Sequence, residues 1–303
     1  MIDFYLITGF LGAGKTTFLK NFVRLLAPKK MRIVVNEFGR VGVDSQLLTE
    51  VGAALDEINN GSIFCTCRLD KFEEVLEDIL HDPPEVVVVE ASGLSDPTSI
   101  RKVLEAKRFS AYSYKGAICL VDALRFHKVL HTARVCAKQL SVSDLVLVNK
   151  TDLATADQID ETVQSIRDRY PDAVIQLTQH GNLEPSWLES LGRNRTEPED
   201  TRSKDLTLQD YTVSIGEEMT PKQLEHFIGM FIEDTYRVKG FVRLGGELYL
   251  VDCVGAQVNV LPWAGKAPDS VGTIVVLAGK GMNPRRSIRK AAELYPGLVG
   301  KAG

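Results

Sequence analysis

The chain has 303 residues, of which 44% are hydrophobic and 25% are charged, and its formal net charge at pH 7 is −4. This length allows one large domain or two ordinary ones, and the mild negative charge without a long Lys/Arg block argues against nucleic acid as a partner. No apolar run approaches the roughly 20 residues that cross a bilayer, and the N-terminal residues lack the pattern of a signal peptide. We therefore predict a soluble cytoplasmic protein without a membrane partner, whose cysteines are reduced.

Short runs of Val, Ile and Leu alternate with amphipathic stretches over the first two thirds of the chain. Such runs, without polar alternation, are typical of strands buried on both faces of a parallel sheet. They lie at residues 4–8, 32–36, 86–90, 117–122, 144–149 and 173–178. Phe18, Phe22, Leu25 and Leu26 then share one face of a predicted helix. This alternation predicts an α/β fold, a three-layer sandwich with a mainly parallel sheet.

The composition changes at residues 192–205, which hold no large apolar side chain and are predicted to form a linker. Beyond them lie further strand patterns and a helix start with Thr220 as N-cap, Pro221 in the first position and Gln223 completing a capping box. We predict a first domain at residues 1–195 and a smaller α+β C-terminal domain at residues 205–303.

The segment GFLGAGKT at residues 9–16 matches the P-loop pattern G-x-x-x-x-G-K-[ST], between a predicted strand and a predicted helix. Its glycines allow backbone N–H groups to surround phosphates, and the helix N-terminus adds positive potential. Lys15 offers a charge to the β- and γ-phosphates, and Thr16 offers a hydroxyl to Mg²⁺. The predicted phosphate-binding residues are Gly9, Gly12, Ala13, Gly14, Lys15, Thr16 and Thr17. The first domain is therefore predicted to be a P-loop NTPase.

A P-loop site needs a second acid near Mg²⁺, and Glu90 stands at the end of the valine run 86–90. Four preceding valines make a solvated Glu90 the weaker alternative. Gly93 follows closely and could give its backbone N–H to a γ-phosphate, which predicts a switch segment here.

Asn149, Lys150 and Asp152 follow the apolar run 144–149, at the strand end where doubly wound folds bind ligands. The Asp152 carboxylate can accept hydrogen bonds from N1 and N2 of guanine, whereas adenine would leave this acid unpaired. The stem of Lys150 can cover the face of the base. Because this N-K-x-D motif follows the P-loop and Glu90 in order, we predict GTP and GDP as the nucleotides and a GTPase domain at residues 1–195.

Five motifs occur in order along the chain: GFLGAGKTT, NEFGRVGVD (36–44), NNGSIFC (59–65), EASGLSDP (90–97) and NKTDL. With these motifs the chain resembles the CobW-like GTPases, relatives of the GTPases that insert nickel into urease and hydrogenase. YRVKGFVRLGG (236–246) is similar to the start of the CobW C-terminal domain. The resemblance implies slow, regulated GTP hydrolysis with Mg²⁺, coupled to metal delivery or metallocofactor assembly. It also implies nucleotide-dependent association into a homodimer, and it places Glu37 and Asp44 in the first switch loop and Glu90 and Gly93 in the second.

Glu37 follows a predicted strand, so its carboxylate should emerge near the phosphates, where it could bind a metal ion or orient water. A solvated loop acid is the alternative; we favour the functional interpretation. Lys15, Glu37 and Glu90 are the candidate catalytic residues, acting by position and charge on an attacking water.

Cys65 and Cys67 stand one residue apart, so in an extended segment both thiolates point to the same side and can bind one ion. Such ligands suit Zn²⁺, or Ni²⁺ or Co²⁺, with Glu37 or another group completing the coordination. The resemblance implies a loop of the form Asn-Gly-Cys-x-Cys-Cys, in which Ser62 and Phe64 replace two cysteines here. Packing in a core and a strained disulfide are the alternatives. We favour an incomplete metal site that suits transfer.

The leading hypothesis is a GTPase that couples its nucleotide cycle to metal delivery to a client metalloprotein, or to maturation of that protein. A metal-free GTPase switch that remodels or reactivates a cofactor-dependent client enzyme is the alternative. A P-loop kinase of a small molecule is disfavoured by the guanine motif.

Overall fold

The computed structural model describes residues 1–35, 53–57, 69–192, 208–255, 257–265, 268, 270–279 and 281–300. The chain divides into two compact units, Met1–Lys204 and Asp205–Gly303. The predicted boundary between residues 195 and 205 falls outside the described residues, so its position stays a prediction.

The first unit is built on a parallel sheet. Its strands in the described residues are β1 (Ile2–Gly9), β2 (Met31–Val35), β3 (Ala54–Glu57), β4 (Val86–Glu90), β5 (Tyr112–Asp122), β6 (Leu145–Asn149) and β7 (Val174–Leu177). Their order across the sheet is β3-β2-β4-β1-β5-β6-β7, and every neighbouring pair runs parallel. The predicted parallel sheet is confirmed.

Helices cover both faces of this sheet. In the described residues they are α1 (Lys15–Leu26), α2 (Leu69–Ile79), α3 (Ile100–Leu104), α4 (Phe126–Thr132), α5 (Arg134–Ser141) and α6 (Ala156–Arg167). Because successive strand residues point to opposite faces, Leu6 of β1 packs in one core cluster with Phe72 of α2, whereas Ile7 packs in another with Phe18 and Phe22 of α1. The predicted three-layer sandwich is confirmed.

The two edge strands differ from the predicted pattern. β3, with the sequence ALDE, was not predicted, because it is short and carries two acids. β7 lies at the opposite edge, where its residues are half-buried and Leu177 is exposed, so it is not covered on both faces as predicted. An edge strand has a neighbour on one side alone, which leaves its side chains more accessible.

The second unit is a smaller α+β fold. It contains β8 (Leu208–Ser214), α7 (Pro221–Gly229), β9 (Arg237–Leu244), β10 (Glu247–Val254), β11 (Val260–Pro262), β12 (Thr273–Gly279) and α8 (Pro284–Ala292). The strands form an antiparallel sheet in the order β11-β10-β9-β12-β8. Thr220 and Gln223 form the predicted capping box at the start of α7.

Three of the cysteines lie in the cores, as the sequence predicts. Cys119 of β5, Cys136 of α5 and Cys253 of β10 are buried. Burial raises the pKa of the Cys119 thiol to about 12 and that of Cys253 to about 11, so both remain protonated near neutral pH. Within the described residues, no helix has both the length and the apolar character needed to cross a membrane.

Candidate nucleotide-binding site

The carboxyl ends of four neighbouring strands bring the predicted motifs together. Ile7 of β1 pairs with Glu90 at the end of β4, Gly9 pairs with Leu120 of β5, and Asp122 pairs with Asn149 at the end of β6. The strand order reverses around β1, and this is where open α/β sheets bind ligands.

The P-loop has a backbone shape that only glycine adopts readily. Gly9, Gly12 and Gly14 have φ angles of 132°, 75° and 96°. A Cβ on Gly9 would lie 2.3 Å from the carbonyl oxygen of Leu120, and a Cβ on Gly14 would lie 2.4 Å from Nδ2 of Asn149. The loop is therefore closely packed on β5 and β6, and its shape fits a cradle for phosphates.

Lys15 is held inside the P-loop. Its Nζ donates hydrogen bonds to the carbonyl oxygens of Gly9 at 3.0 Å and of Phe10 at 3.2 Å, and the residue is 9% exposed. Ala13 is buried beside it, whereas Thr17 is exposed in the first turn of α1. The N-cap residue Gly14 makes no side-chain capping hydrogen bond in the described structure, so the positive N-terminal end of α1 suits the binding of an anion.

Thr16 and Glu90 place two hard oxygen groups next to each other. The Thr16 hydroxyl donates to Oε1 of Glu90 at 3.3 Å. Glu90 is 3% exposed, so the alternative of a solvated acid does not hold. A hydroxyl beside a carboxylate is the donor set that Mg²⁺ prefers, so these residues fit that ion.

Gly93 packs directly on the P-loop. A Cβ at this position would lie 2.7 Å from the backbone nitrogen of Leu11 and 2.9 Å from its Cα. Any side chain would push the two segments apart. The absence of a side chain thus lets the predicted switch segment contact the phosphate-binding loop.

Asn149 connects the P-loop with the segment after β7. Its Nδ2 donates to the carbonyl oxygen of Ala13 at 2.9 Å, and its Oδ1 accepts a hydrogen bond from the backbone N–H of Gly181 at 3.0 Å. Oδ2 of Asp152 lies 3.7 Å from Nε2 of the exposed His180. The structure thereby brings Asn149 of the predicted guanine motif next to the predicted phosphate-binding loop, and Asp152 beside His180.

Sequence reasoning missed Asp122 and Gln139. Nζ of Lys150, whose φ is 64°, donates to Oδ2 of Asp122 at 2.6 Å, which fixes the direction of the lysine side chain. Asp122 ends a predicted strand beside Asn149, so its position at the same sheet edge was a usable signal. Gln139 of α5, whose Nε2 donates to the carbonyl oxygens of Gly93 and Ser95, lies within an amphipathic helical pattern and gave no such signal.

Several predicted site residues lie outside the described residues, namely Glu37, Asp44, Cys65 and Cys67. In the part of the chain that the structure does describe, no group of three or more His, Cys, Asp or Glu side chains is arranged to hold a metal ion. The predicted cysteine metal site therefore stays a prediction.

Comparison with known protein families shows the family to which the chain belongs. Residues 3–175 match the family described as CobW/HypB/UreG, nucleotide-binding domain. The chain belongs to this CobW/HypB/UreG family. Residues 208–293 match the cobalamin synthesis protein cobW C-terminal domain, so both domain types of CobW are present. The resemblance predicted from the motifs is confirmed, and with it the assignment of the first unit as a P-loop domain of a GTPase family.

Relatives of this CobW/HypB/UreG chain include proteins named as zinc chaperones. It is 28% identical over 266 residues to the zinc chaperone YjiA of Escherichia coli K12, covering 80% of this chain and 82% of YjiA. It is 27% identical over 325 residues to the zinc chaperone CobW of a Sinorhizobium species, covering 90% and 91% of the two chains. The crystal structure of Zn(II)-bound YjiA GTPase aligns over 98% of both chains at 21% identity, with a TM-score of 0.49.

Proposed function

We propose that this CobW/HypB/UreG protein binds and hydrolyses GTP, and that it uses the nucleotide cycle to deliver Zn²⁺, or a metal ion of similar chemistry, to a client metalloprotein. One observation carries the GTP assignment: Asn149 joins the P-loop at Ala13 to the backbone of Gly181. A nucleotide whose phosphates lie in the P-loop therefore has its base directed to the edge where Asp152 lies.

The phosphates are held by the backbone of residues 9–14, by Lys15 and by the first turn of α1, including Thr16 and Thr17. Asp152 accepts hydrogen bonds from the guanine, and Asp122 holds the ammonium of Lys150 so that the stem of this lysine covers the base. Mg²⁺, when bound, neutralises charge on the β- and γ-phosphates. The Thr16 hydroxyl and the Glu90 carboxylate would hold that ion.

Hydrolysis requires this chain to position a water molecule and to stabilise charge. Water attacks the γ-phosphorus, the bond to the oxygen that bridges the β- and γ-phosphates breaks, and GDP and phosphate leave. Lys15 stabilises the charge that develops on the phosphate oxygens, and the Gly93 N–H supports the γ-phosphate. Glu37 is proposed to orient the water or to bind a metal ion in the first switch loop.

The metal cargo is proposed to bind at Cys65 and Cys67, with Glu37 as a further ligand. The zinc chaperone names of YjiA and CobW support Zn²⁺ as the cargo. The other three cysteines are buried in the cores, so they do not compete for the ion. Two thiolates leave the tetrahedral coordination of Zn²⁺ incomplete, which allows a client's ligands to take the ion over. The proposed partners are this client metalloprotein and a second copy of the chain.

A second candidate function rests on Ser62 and Phe64, which stand where the family resemblance implies cysteines. If the remaining thiols carry no metal, the GTP cycle would instead order the switch loops and reactivate a cofactor-dependent client enzyme.

Zinc titration of the purified protein tests the metal site. We expect one tightly bound Zn²⁺ per chain, and we expect the double variant Cys65→Ala, Cys67→Ala to bind it at least about tenfold more weakly, because both thiolate ligands are lost. The control is Cys253→Ala, which removes a buried thiol from β10 and should leave zinc affinity unchanged. Equal zinc affinity of the double variant and the wild type would rule out this site. A metal-free protein that still binds its client only with GTP would support the second candidate function.

A further inference from the structure

Helix α5 donates hydrogen bonds to the segment that follows β4. We define the second switch segment as residues 91–98. It contains Gly93, and the turn at Pro97–Ser99 begins within it. Gln139 of α5 is 1% exposed, and its Nε2 donates hydrogen bonds to the carbonyl oxygens of Gly93 and Ser95, both at 3.2 Å. One buried amide thus contacts two points of the switch.

These two carbonyl groups need such a partner. Ala91 still donates its backbone N–H to Ile7 of β1, but the second switch segment leaves the sheet after this residue, and both Gly93 and Ser95 are buried. A buried carbonyl group without a hydrogen bond is costly, and a glutamine NH₂ group has two N–H donors to offer. Gln139 therefore fixes the orientation of the backbone on both sides of Leu94.

The neighbouring residue on α5 holds the same segment at a third point. Nζ of Lys138 lies 2.5 Å from Oδ2 of Asp96. Oδ1 of Asp96 accepts hydrogen bonds from the backbone N–H of Thr98 at 3.1 Å and from its hydroxyl at 2.7 Å. On its opposite side the segment touches the P-loop, through the close approach of Gly93 to Leu11. It therefore lies between α5 and the P-loop.

We propose that α5 positions the second switch segment against the P-loop through Gln139 and Lys138, and thereby sets how strongly the site prefers GTP to GDP and how fast it hydrolyses GTP. The proposal rests on the proposed GTPase function and adds a regulatory element to the same site. GTP and GDP differ by the γ-phosphate, and Gly93 is the proposed contact of that group. A Gly93 held in place in advance binds the γ-phosphate without first losing conformational freedom, whereas a loosened segment must be ordered by the nucleotide.

The test compares Gln139→Met with the wild type. Methionine has a similar volume but no N–H donors, so it removes both hydrogen bonds while filling the core. We expect kcat for GTP hydrolysis and the ratio of GTP to GDP affinity each to fall about tenfold, with the Kd for GDP within about twofold of the wild type. Affinities are measured by calorimetry with GDP and with a non-hydrolysable GTP analogue.

Tyr170→Phe is the matched control. The Tyr170 hydroxyl donates to the carbonyl oxygen of Ala137 on the same helix at 2.7 Å, a hydrogen bond that involves neither Gln139 nor Lys138. Its loss should lower the Tm and leave the GTP-to-GDP ratio unchanged. If Gln139→Met does not fold, Lys138→Met decides, because Lys138 is partly exposed and its variant should lower the same ratio about threefold.

Two results would overturn the proposal: an unchanged ratio of GTP to GDP affinity in folded Gln139→Met, including parallel weakening of both nucleotides, or the same change of the ratio in Tyr170→Phe. If Gln139→Met is unfolded, an unchanged ratio of GTP to GDP affinity in Lys138→Met would overturn the proposal. Wild-type protein without GTP hydrolysis would overturn the proposed function and this role together. Wild-type hydrolysis with an unaffected Gln139→Met would overturn the role of α5 alone.

Discussion

Replacing Asp152 with asparagine is expected to lower the affinity for GTP by at least about a hundredfold, because a site built to accept N–H groups discriminates strongly when its acceptor is removed. The carboxylate accepts hydrogen bonds from N1 and N2 of guanine, whereas the asparagine side chain turns an N–H donor towards the 2-amino group. Xanthine carries a carbonyl oxygen in place of that amino group. The same variant should therefore gain affinity for xanthosine triphosphate.

Nucleotide affinities of Asp152→Asn for GTP, ATP and xanthosine triphosphate provide the measurement. Asp157→Asn is the matched control, since Asp157 is an exposed carboxylate in the first turn of α6 and its loss should not alter preference. GTP affinity within about threefold of the wild type in Asp152→Asn would show that the base is read elsewhere.

Replacing Lys15 with alanine is expected to weaken GTP binding by about a hundred- to ten-thousand-fold, because two hydrogen bonds from a charged donor to the β- and γ-phosphates are lost. In the structure the ammonium donates to the carbonyl oxygens of Gly9 and Phe10, so its removal also takes a donor from these groups and loosens the loop. GTP hydrolysis should fall below detection.

The Kd for GTP and the rate of phosphate release are the measurements for Lys15→Ala, with the Tm recorded to show that the variant folds. Lys20→Ala serves as the control, because Lys20 lies on the same helix α1, outside the P-loop. Equal losses in the two variants would mean that a general loss of positive charge, rather than the P-loop lysine, accounts for the effect.

Local patterns predicted the parts of the fold that depend on neighbouring residues. The apolar runs predicted the buried strands, and the sequence around Thr220 predicted the start of α7, because a capping box requires residues only three positions apart. β3 escaped prediction since four residues with two acids carry almost no periodic signal. β7 is less buried than predicted because it lies at the edge of the sheet. This position depends on the order of all the strands, which a local pattern does not contain.

In the site, too, the short motifs could be predicted from the sequence, whereas the contacts between residues far apart in the sequence could not. The P-loop and the N-K-x-D motif each consist of neighbouring residues in the sequence, so the chemistry of each motif could be derived from the spacing of its residues. The contacts that join them could not, since the hydrogen bond from Asn149 to Ala13 spans 136 positions and those from Gln139 to Gly93 and Ser95 join a helix to a distant turn. A polar residue in an amphipathic helical pattern carries no sign of its partner.

The proposed control of the metal cargo by the nucleotide state is tested most directly by the zinc affinity in the two nucleotide states. The protein is titrated with Zn²⁺ in the presence of saturating GDP and, separately, of a non-hydrolysable GTP analogue. We predict that the two zinc affinities differ by at least about fivefold, and that Zn²⁺ changes the ratio of GTP to GDP affinity by the same factor, because coupling between two sites is reciprocal. Cys65→Ala with Cys67→Ala should abolish the difference. Equal zinc affinities in the two nucleotide states of the wild type would contradict the account.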